Sequence, residues 1–287
     1  MAQKRKKSRR NTSGGNRLFV KLLAVAAIAI LLVAGVLYAS RIATGEAGFS
    51  WFEKTDDSPI RVENAQLLTV AMPSTVDSQN VEYTGYAVSF NPTFRIPNYV
   101  AYELTRSETK GNAKRAGSFK RDANVENCPK SADYTRSGYD RGHMAPAADM
   151  KWSEQAMRES FYMTNICPQF PALNRGGWKQ LEDKVRDWAI RDSAIIVITG
   201  PVVGDAHKTI AGDIAVPDAF FKVLLAPSEG RGIAFVYQNA GGQKTIARQA
   251  VSIDSVETLT GFDFFRALPD DIENRIEQSC DYNEWNN

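Results

Sequence analysis

The chain has 287 residues, a formal net charge of +2 at pH 7, three cysteines and two histidines. It contains no internal repeat and no low-complexity segment beyond a basic N-terminus, which excludes repeat architectures. The cysteines allow at most one intramolecular disulfide and include no pair with metal-binding spacing, so a cysteine-based metal centre is also excluded.

The N-terminal segment predicts a membrane anchor. Eight Lys and Arg residues occur in residues 1–21, and nineteen uncharged, mostly apolar residues follow at 22–40. As a helix, that stretch spans about 28 Å, which matches the hydrocarbon core of a bilayer. A cleavable signal peptide has a shorter apolar region and a small-residue cleavage site, so an uncleaved transmembrane helix is favoured, with cleavage as the alternative.

The distribution of charge predicts how this anchor is oriented. Basic residues beside an apolar span keep the N-terminus in the cytoplasm and place the following residues outside it. Without the eight basic residues of the tail, 27 Lys and Arg stand against 33 Asp and Glu, a net charge of about −6. An anionic partner must therefore be bound by a local basic cluster and not by the field of the whole molecule.

Residues 41–75 are polar, mixed in charge and without sustained periodicity, which predicts a tether, and residues 76–287 suit one domain. Apolar and β-branched runs predict strands at Tyr99–Thr105, Ala194–Thr199, Phe220–Leu225 and Gly232–Gln238. Helical spacing predicts helices at Ser153–Tyr162, Asn174–Arg191 and Asp270–Gln278. The order of these elements predicts a mixed α+β fold.

A basic stretch precedes the first polar motif of the domain. Its six cationic side chains are Arg106, Lys110, Lys114, Arg115, Lys120 and Arg121. They predict a local surface for an anionic partner, and a solvated loop is the alternative.

The run Asp140-Arg141-Gly142-His143 combines groups that suit phosphate chemistry. An imidazole can take a proton near neutral pH, and a guanidinium matches phosphate oxygens. Alternation along a strand points Arg141 and His143 the same way, and Gly142 permits a close approach. Asp140 could orient the imidazole or pair with Arg141. The alternative is a histidine packed in a wall beside a structural Asp140–Arg141 ion pair.

A second motif follows at residues 165–182, where Asn174, Trp178 and Glu182 have i, i+4 and i+8 spacing. On a helix beginning near Asn174 they lie within about 80° of one another, so both oxygen-bearing side chains can face one site. One amide and one carboxylate suit a hard divalent cation such as Mg²⁺. The alternatives are an asparagine N-cap and a surface pair between Glu182 and Arg186.

The remaining cysteines and histidine have simpler interpretations. Cys128 and Cys280 are candidates for a disulfide, because both lie near expected edges of the domain. Cys167 is interpreted as a buried thiol and His207 as a surface histidine.

Together these motifs resemble the DNA/RNA non-specific endonucleases of the ββα-metal superfamily, whose signature is Asp-Arg-Gly-His. The matching positions of the second motif are Asn165, Pro168, Gln169, Asn174, Trp178 and Glu182, and looser similarity runs from about Tyr83 to about Leu268. The resemblance implies a mixed β-sheet core that carries a ββα-metal finger.

The resemblance also implies roles for individual residues. His143 matches the general base, Asn174 the protein ligand of Mg²⁺, with Mn²⁺ as an alternative ion, and Glu182 the glutamate that holds the water shell of the metal. Arg141 matches the arginine that supports phosphate binding, and Asn165 an asparagine that orients the catalytic groups.

A further substrate-binding arginine is expected upstream, at Arg115, with Arg121 as the alternative. The implied function is metal-dependent hydrolysis of DNA and/or RNA with little sequence specificity. The alternatives are a membrane-anchored nucleic-acid-binding module without hydrolysis and a phosphodiesterase with another substrate. A bacterial inner membrane with the domain facing the periplasm is expected, the mitochondrial intermembrane space is the alternative, and no protein partner is implied.

Overall fold

The computed structural model describes residues 64–242 and 245–286. The predicted basic tail, the transmembrane helix at 22–40 and the tether as far as residue 63 lie outside these ranges. Within the ranges, no helix combines the length and the apolar character that a membrane span needs.

In chain order, the helices and strands are α1 (Asn64–Leu67), β1 (Gln79–Glu82), β2 (Ala87–Asn91), β3 (Ile96–Thr105), β4 (Asp140–His143), α2 (Glu154–Glu159), β5 (Ile166–Gln169), α3 (Trp178–Asp192), β6 (Ala194–Val202), β7 (Lys208–Ile210), β8 (Ile214–Val216), β9 (Ala219–Ala226), β10 (Arg231–Gln238), β11 (Ala250–Val251), α4 (Ile253–Thr260), α5 (Asp270–Gln278) and α6 (Tyr282–Asn286).

A seven-stranded antiparallel sheet organises these elements, in the order β1-β2-β3-β6-β9-β10-β11. Strands β4 and β5 form a separate antiparallel pair, as do β7 and β8. In the centre of the large sheet Tyr102 lies opposite Val197, and Ile198 opposite Val223. The predicted α+β fold is confirmed.

The two faces of the large sheet carry separate apolar layers, because successive side chains of a strand point to opposite sides. On the first face, Phe220 and Leu224 of β9 share a cluster with Trp178 and Trp188 of α3. On the second face, the intervening residues of the strands pack with side chains of α4, of α5 and of the segment between them. This second cluster includes Phe221, Val223, Leu225, Ile253, Val256, Phe264 and Ile276. Each fully buried side chain of this kind stabilises the fold by about 1.5–3 kcal/mol.

The four predicted strands are all observed, three of them longer than expected at one or both ends and β10 beginning one residue earlier. The helix expected at Ser153–Tyr162 is shorter, and Ser153 is its N-cap, whose Oγ accepts hydrogen bonds from the backbone N–H of Gln155 and Ala156. Short strands such as β1 and β7 have too few residues to show a period, and helix α4 was also not predicted.

The end of the predicted tether is part of the folded unit. Residues 64–67 form α1, and Leu67 and Val70 are buried in the second-face cluster. Ala71 exchanges two backbone hydrogen bonds of 3.0 Å with Asp263. The apolar side chains of Leu67 and Val70 explain why this stretch packs although it lacks the length for a visible period.

The disulfide suggested between Cys128 and Cys280 is not formed, since Cys128 is buried, Cys280 is exposed and both are free. Cys167 is a buried free thiol, as interpreted from the sequence. His207 is half-buried and not fully at the surface. Its Nδ1 lies 2.9 Å from the carbonyl oxygen of Gly204, and its ring meets Phe94 edge-on at 5.1 Å.

Candidate active site

The Asp-Arg-Gly-His run forms strand β4, which pairs antiparallel with β5. Asp140 lies opposite Gln169, and His143 opposite Ile166. Gly142 faces the Gln169 side chain so closely that a Cβ atom at this position would lie 2.3 Å from Gln169 Oε1. Only glycine therefore lets the two strands approach at this point, as the sequence predicted.

The segment before α3 differs from the helix predicted to begin at Asn174. Leu173–Gly177 form a π-helical turn, and the α-helix begins at Trp178. Gly176 has φ −113° and ψ −110°, outside the helical region, so a regular α-helix cannot run through this turn. The expected angular relation between Asn174 and Glu182 on one regular helix therefore does not apply.

The π-helical turn brings Asn174 to strand β4. Its Nδ2 donates a 2.9 Å hydrogen bond to Asp140 Oδ2. Arg175 binds the same carboxylate through two hydrogen bonds, from Nε at 2.8 Å and from Nη2 at 2.6 Å. Burial opposes ionisation of Asp140, but the hydrogen bonds from Arg175 and Asn174 outweigh it and lower the pKa of this carboxyl.

Neither expected role of Asp140 is observed, because its carboxylate is bound by Arg175 and Asn174 and not by His143 or Arg141. The reason is the π-helical turn, which places two consecutive donors above Asp140. Asp140 therefore orients the amide of Asn174. Since Nδ2 is the atom that donates to Asp140, the carbonyl oxygen Oδ1 of Asn174 remains available as a ligand.

The imidazole of His143 lies between two aromatic rings. Its centroid is 4.9 Å from Phe161, which it meets edge-on, and 5.3 Å from Phe119. Its Nε2 is buried and has no hydrogen-bond partner among the described residues. Burial and the nearby charge of Arg115 lower the pKa of His143 to about 3, so its imidazole is neutral at neutral pH.

Arg141 lies on the same side of β4 as His143, because both side chains contact the ring of Phe119. Its Nε and Nη2 donate to the carbonyl oxygen of Ser131 at 3.2 and 2.5 Å. Its Cζ lies 5.8 Å from the centroid of Tyr134. These contacts fix the guanidinium beside the histidine.

The two arginines predicted upstream occupy different places. Arg115 is exposed, and its Cζ lies 5.0 Å from the centroid of Phe161, the ring that also contacts His143. Arg121 lines a cavity of about 480 Å³ together with Arg95 and Lys130. The structure therefore brings Arg115 to the ring that contacts His143 and places Arg121 at this cavity.

Asn165 is fully buried and fixes the chain just after His143. Its Nδ2 donates to the carbonyl oxygens of Ala145 and Ser160 at 2.9 Å, and its Oδ1 accepts from the N–H of Ala145 at 2.8 Å. Its backbone carbonyl accepts from the N–H of Met144 at 2.9 Å. Asn165 thus positions the end of β4 through the backbone of Met144 and Ala145.

Glu182 lies one turn beyond Trp178 on α3, beside a buried group of charges. Burial raises the pKa of Glu182, and the positive charge of Lys222 opposes that rise. The alternative in which Glu182 pairs with Arg186 is not observed. Arg186 instead binds Asp149 at 2.7 Å, and Asp149 also accepts from the hydroxyl of Tyr102 at 2.8 Å.

Lys222 is a component of the site that the sequence interpretation missed. It lies fully buried in β9, and its Nζ has no hydrogen-bond partner among the described residues. The Nζ is 4.8 Å from the ring centroid of Trp178, and burial lowers its pKa. One sequence signal was present, since Lys222 is the single charged residue in the apolar strand Ala219–Ala226. Phe119 and Phe161 carried no such signal.

A β-β-α unit with Asp-Arg-Gly-His on its first strand and Asn174 in the turn before its helix defines the ββα-metal class of protein. The model of the DNA/RNA non-specific endonuclease family matches residues 63–271, and the chain belongs to that family.

Individual relatives agree with this assignment. "Nuclease EXOG, mitochondrial" of Danio rerio is 36% identical over 207 residues, which cover 65% of this chain and 60% of the relative. A nuclease of Nostoc sp. is 32% identical and is covered to 76% of its length, for 68% of this chain. A chain in the crystal structure of the EndoG/EndoGI complex superposes with a TM-score of 0.62 at 30% identity, covering 66% of this chain and 86% of that one. The match thus spans about three fifths of the Danio rerio relative.

Proposed function

We propose that this chain is a hydrolase that cleaves phosphodiester bonds of DNA and/or RNA with the help of a divalent cation. The observation that carries the proposal is the hydrogen bond between Asp140 and Asn174. This bond holds the amide group of Asn174 beside β4, the strand that also carries Arg141 and His143. A base, a phosphate-binding cation and an oxygen ligand therefore belong to one β-β-α unit. Relatives that are themselves named nucleases support the same reaction class.

His143 is the proposed general base. Its imidazole is neutral at neutral pH, as a base must be before it accepts a proton from the water molecule that attacks the phosphorus. Phe119 and Phe161 hold the ring in place on two sides. Asn165 supports the same orientation through its hydrogen bonds to the backbone of Ala145, which follows His143 in the chain.

Arg141 and Arg115 are the proposed phosphate-binding residues. Both reach the aromatic pair that encloses His143, Arg141 through Phe119 and Arg115 through Phe161. Two guanidinium groups at this position can hold the nonbridging oxygens of a single phosphate and stabilise the charge that develops on them. Contacts limited to phosphates carry no sequence information, which supports cleavage with little specificity.

The donor groups fit a hard divalent cation, and Mg²⁺ is proposed, with Mn²⁺ as an alternative. Asn174 Oδ1 is left available by the hydrogen bond to Asp140. The family resemblance assigns Glu182 the role of holding water molecules around the ion, and that role is part of the proposal. Oxygen donors with few direct protein ligands are what Mg²⁺ accepts. A cation at this place supplies stabilisation of negative charge on the phosphate and the leaving oxygen.

The assignment is tested by cleavage of plasmid DNA and of RNA with two histidine variants. His143→Ala is expected to lose nearly all hydrolysis, since it removes the base, a loss of at least about 100-fold. His207→Ala is the matched control and is expected to cleave like the wild type, because His207 lies in the loop after β6. Near wild-type cleavage by His143→Ala would overturn the role of the base, and cleavage that persists with a chelator would overturn the role of the cation.

The proposed location is a single-pass membrane protein with its N-terminus in the cytoplasm and the endonuclease domain outside it. The basic residues of 1–21 and the apolar stretch at 22–40 support this proposal. The test is fractionation of cells that produce the chain, with protease added to intact and opened cells. Recovery of the full-length chain in the soluble cytoplasmic fraction would contradict it.

A further inference from the structure

Three carboxylates meet between helices α4 and α5, away from the β4–β5 strand pair. Asp254 and Glu257 lie one turn apart on α4, and Glu277 lies near the end of α5. One oxygen of each is within 4.8 Å of an oxygen of the other two. Their helices pack on the second face of the sheet through Ile253 and Ile276, whereas α3 packs on the first face.

One oxygen of the buried member of this triad has no hydrogen-bond partner in the described part of the chain. Glu277 is only 7% exposed, and its Oε1 is buried without a hydrogen-bond partner among the described residues. A buried carboxylate that is neither paired nor hydrogen-bonded is costly, so this oxygen requires a proton or a cation.

The described residues around the three carboxylates add negative charge and provide no salt bridge to them. Within the described ranges, no Lys, Arg or His forms a salt bridge with Asp254, Glu257 or Glu277. Asp263 and Glu273 add further negative charge, and burial together with these acidic neighbours raises the pKa of Glu277 to about 9. Glu277 also stands in the last turn of α5, where the helix dipole disfavours an anion and favours a cation.

We infer that Asp254, Glu257 and Glu277 form a structural site for a hard divalent cation, Ca²⁺, that joins α4 to α5. Oxygens bound to one Ca²⁺ at about 2.4 Å lie at most about 4.8 Å apart, which is the separation that the three carboxylates satisfy. Carboxylate oxygens are the ligands that Ca²⁺ prefers, and its flexible coordination leaves room for water molecules at the half-exposed Asp254.

Close packing and a hydrogen bond hold this site in place. Gly232 of β10 lies beneath both helices, and a Cβ atom there would be 2.4 Å from Ile276 Cγ2 and 2.8 Å from Ile253 Cδ1. This close packing fixes the spacing between α4 and α5. Glu257 is held as well, since its Oε1 accepts a 2.8 Å hydrogen bond from the N–H of Phe264.

The experiment is thermal unfolding of the full chain with Ca²⁺ and with a chelator, in an Asn174→Ala background that weakens cation binding at the candidate active site. Ca²⁺ at about 100-fold above its Kd is expected to raise Tm by about 5–10 °C. The rise is expected to disappear when Glu277→Gln or Asp254→Asn is added. Isothermal titration calorimetry should give one Ca²⁺ per Asn174→Ala chain and none after either addition.

The variants also distinguish a cation from a proton. Glu277→Gln is nearly isosteric with the protonated carboxyl group that Glu277 carries in chelator, so its Tm there should at least equal that of its parent, which confirms folding. A parent chain whose Tm does not respond to Ca²⁺ would show that the three carboxylates bind no Ca²⁺ and would overturn the inference. A response that survives both Glu277→Gln and Asp254→Asn would overturn it too, because the ion then binds elsewhere.

Discussion

At the residue scale, the carboxylate of Asp140 contributes to the candidate site by orienting the side chain of Asn174. It accepts from Asn174 and Arg175 at once, so the proposed cation ligand is held by a group that does not itself need to touch the cation. Partners of this kind fix the orientation of a ligand, and their removal typically lowers metal affinity by about 10–100-fold.

Asp140→Ala should therefore raise the Mg²⁺ concentration needed for half-maximal cleavage by about 10–100-fold. The measurement is the rate of DNA cleavage as a function of Mg²⁺. Arg175→Ala is the matched control, because it removes the ion pair and leaves the hydrogen bond from Asn174 to Asp140, so its Mg²⁺ requirement should change by at most a few-fold. Equal effects of the two variants would show that the ion pair, and not the orientation of Asn174, is what matters.

The low pKa of His143 has a consequence for stability. The folded chain keeps this imidazole neutral down to about pH 3, whereas the unfolded chain binds a proton below about pH 6.5. The contribution of the neutral His143 imidazole to the free energy of unfolding is therefore fully present above pH 6.5 and is lost as the pH falls from 6.5 towards 3. Between pH 7 and pH 5 this loss is about 2 kcal/mol.

His143→Phe keeps an aromatic ring between Phe119 and Phe161 and cannot be protonated. The free energy of unfolding of the wild type, minus that of this variant, should decrease by about 2 kcal/mol from pH 7 to pH 5. Urea denaturation of both proteins at the two pH values measures this difference. If the difference is the same at both pH values, the pKa of His143 is not lowered by folding.

At the element scale, strand β4 depends on the close contact between Gly142 and Gln169. A Cβ atom at position 142 would also lie 2.5 Å from Gln169 Cβ, an atom that cannot move without moving β5. Gly142→Ala should destabilise the fold by about 1–3 kcal/mol, the usual cost of overpacking. It should also reduce cleavage, because Asp140 and His143 belong to the same strand.

The control for Gly142→Ala is Gly117→Ala. An added Cβ at position 117 meets nothing within 4 Å, so the free energy of unfolding should stay within about 0.5 kcal/mol of the wild type. Chemical denaturation measures both variants. A Gly142→Ala protein as stable as the wild type would show that β4 and β5 can separate without cost.

The same elements show what the sequence could predict. The long strands β3, β6, β9 and β10 could be predicted from the sequence because their apolar runs are longer than those that arise by chance. Helix α5 has the bounds that the sequence predicted. The π-helical turn at Leu173–Gly177 was not predictable, because the apolar period of α3 begins at Trp178 and does not report the backbone of the residues before it. Asp140 was consequently assigned the wrong partner.

At the scale of the whole molecule, side chains from distant parts of the sequence complete the site, and periodicity does not reveal them. Lys222 comes from β9 on the large sheet, whereas Trp178 and Glu182 come from α3. Phe119 precedes β4 in the sequence and Phe161 follows it, and the rings of both contact His143. The motifs therefore predicted the groups to which the chemistry is proposed to belong, and the structure was needed for the groups that position them.

Charge at the same scale bears on how the proposed nucleic-acid substrate is held. With the basic tail set aside, the chain carries more acidic than basic residues, so the proposed binding of nucleic acid depends on a few cationic side chains at the candidate site. Arg115 contacts Phe161, the ring that also contacts His143. Arg121 instead lines the cavity together with Arg95 and Lys130. The two arginines should therefore contribute differently to binding.

Duplex DNA binding, measured by fluorescence anisotropy at several salt concentrations in the His143→Ala background, separates these contributions. Adding Arg115→Ala should weaken binding and reduce the slope of log K against log salt by about 0.9, the value for one lost phosphate contact on B-DNA. Adding Arg121→Ala should leave the slope unchanged. A reduced slope with Arg121→Ala and an unchanged slope with Arg115→Ala would instead place the DNA backbone across the Arg95 cavity, because salt dependence counts the phosphates that a cation contacts.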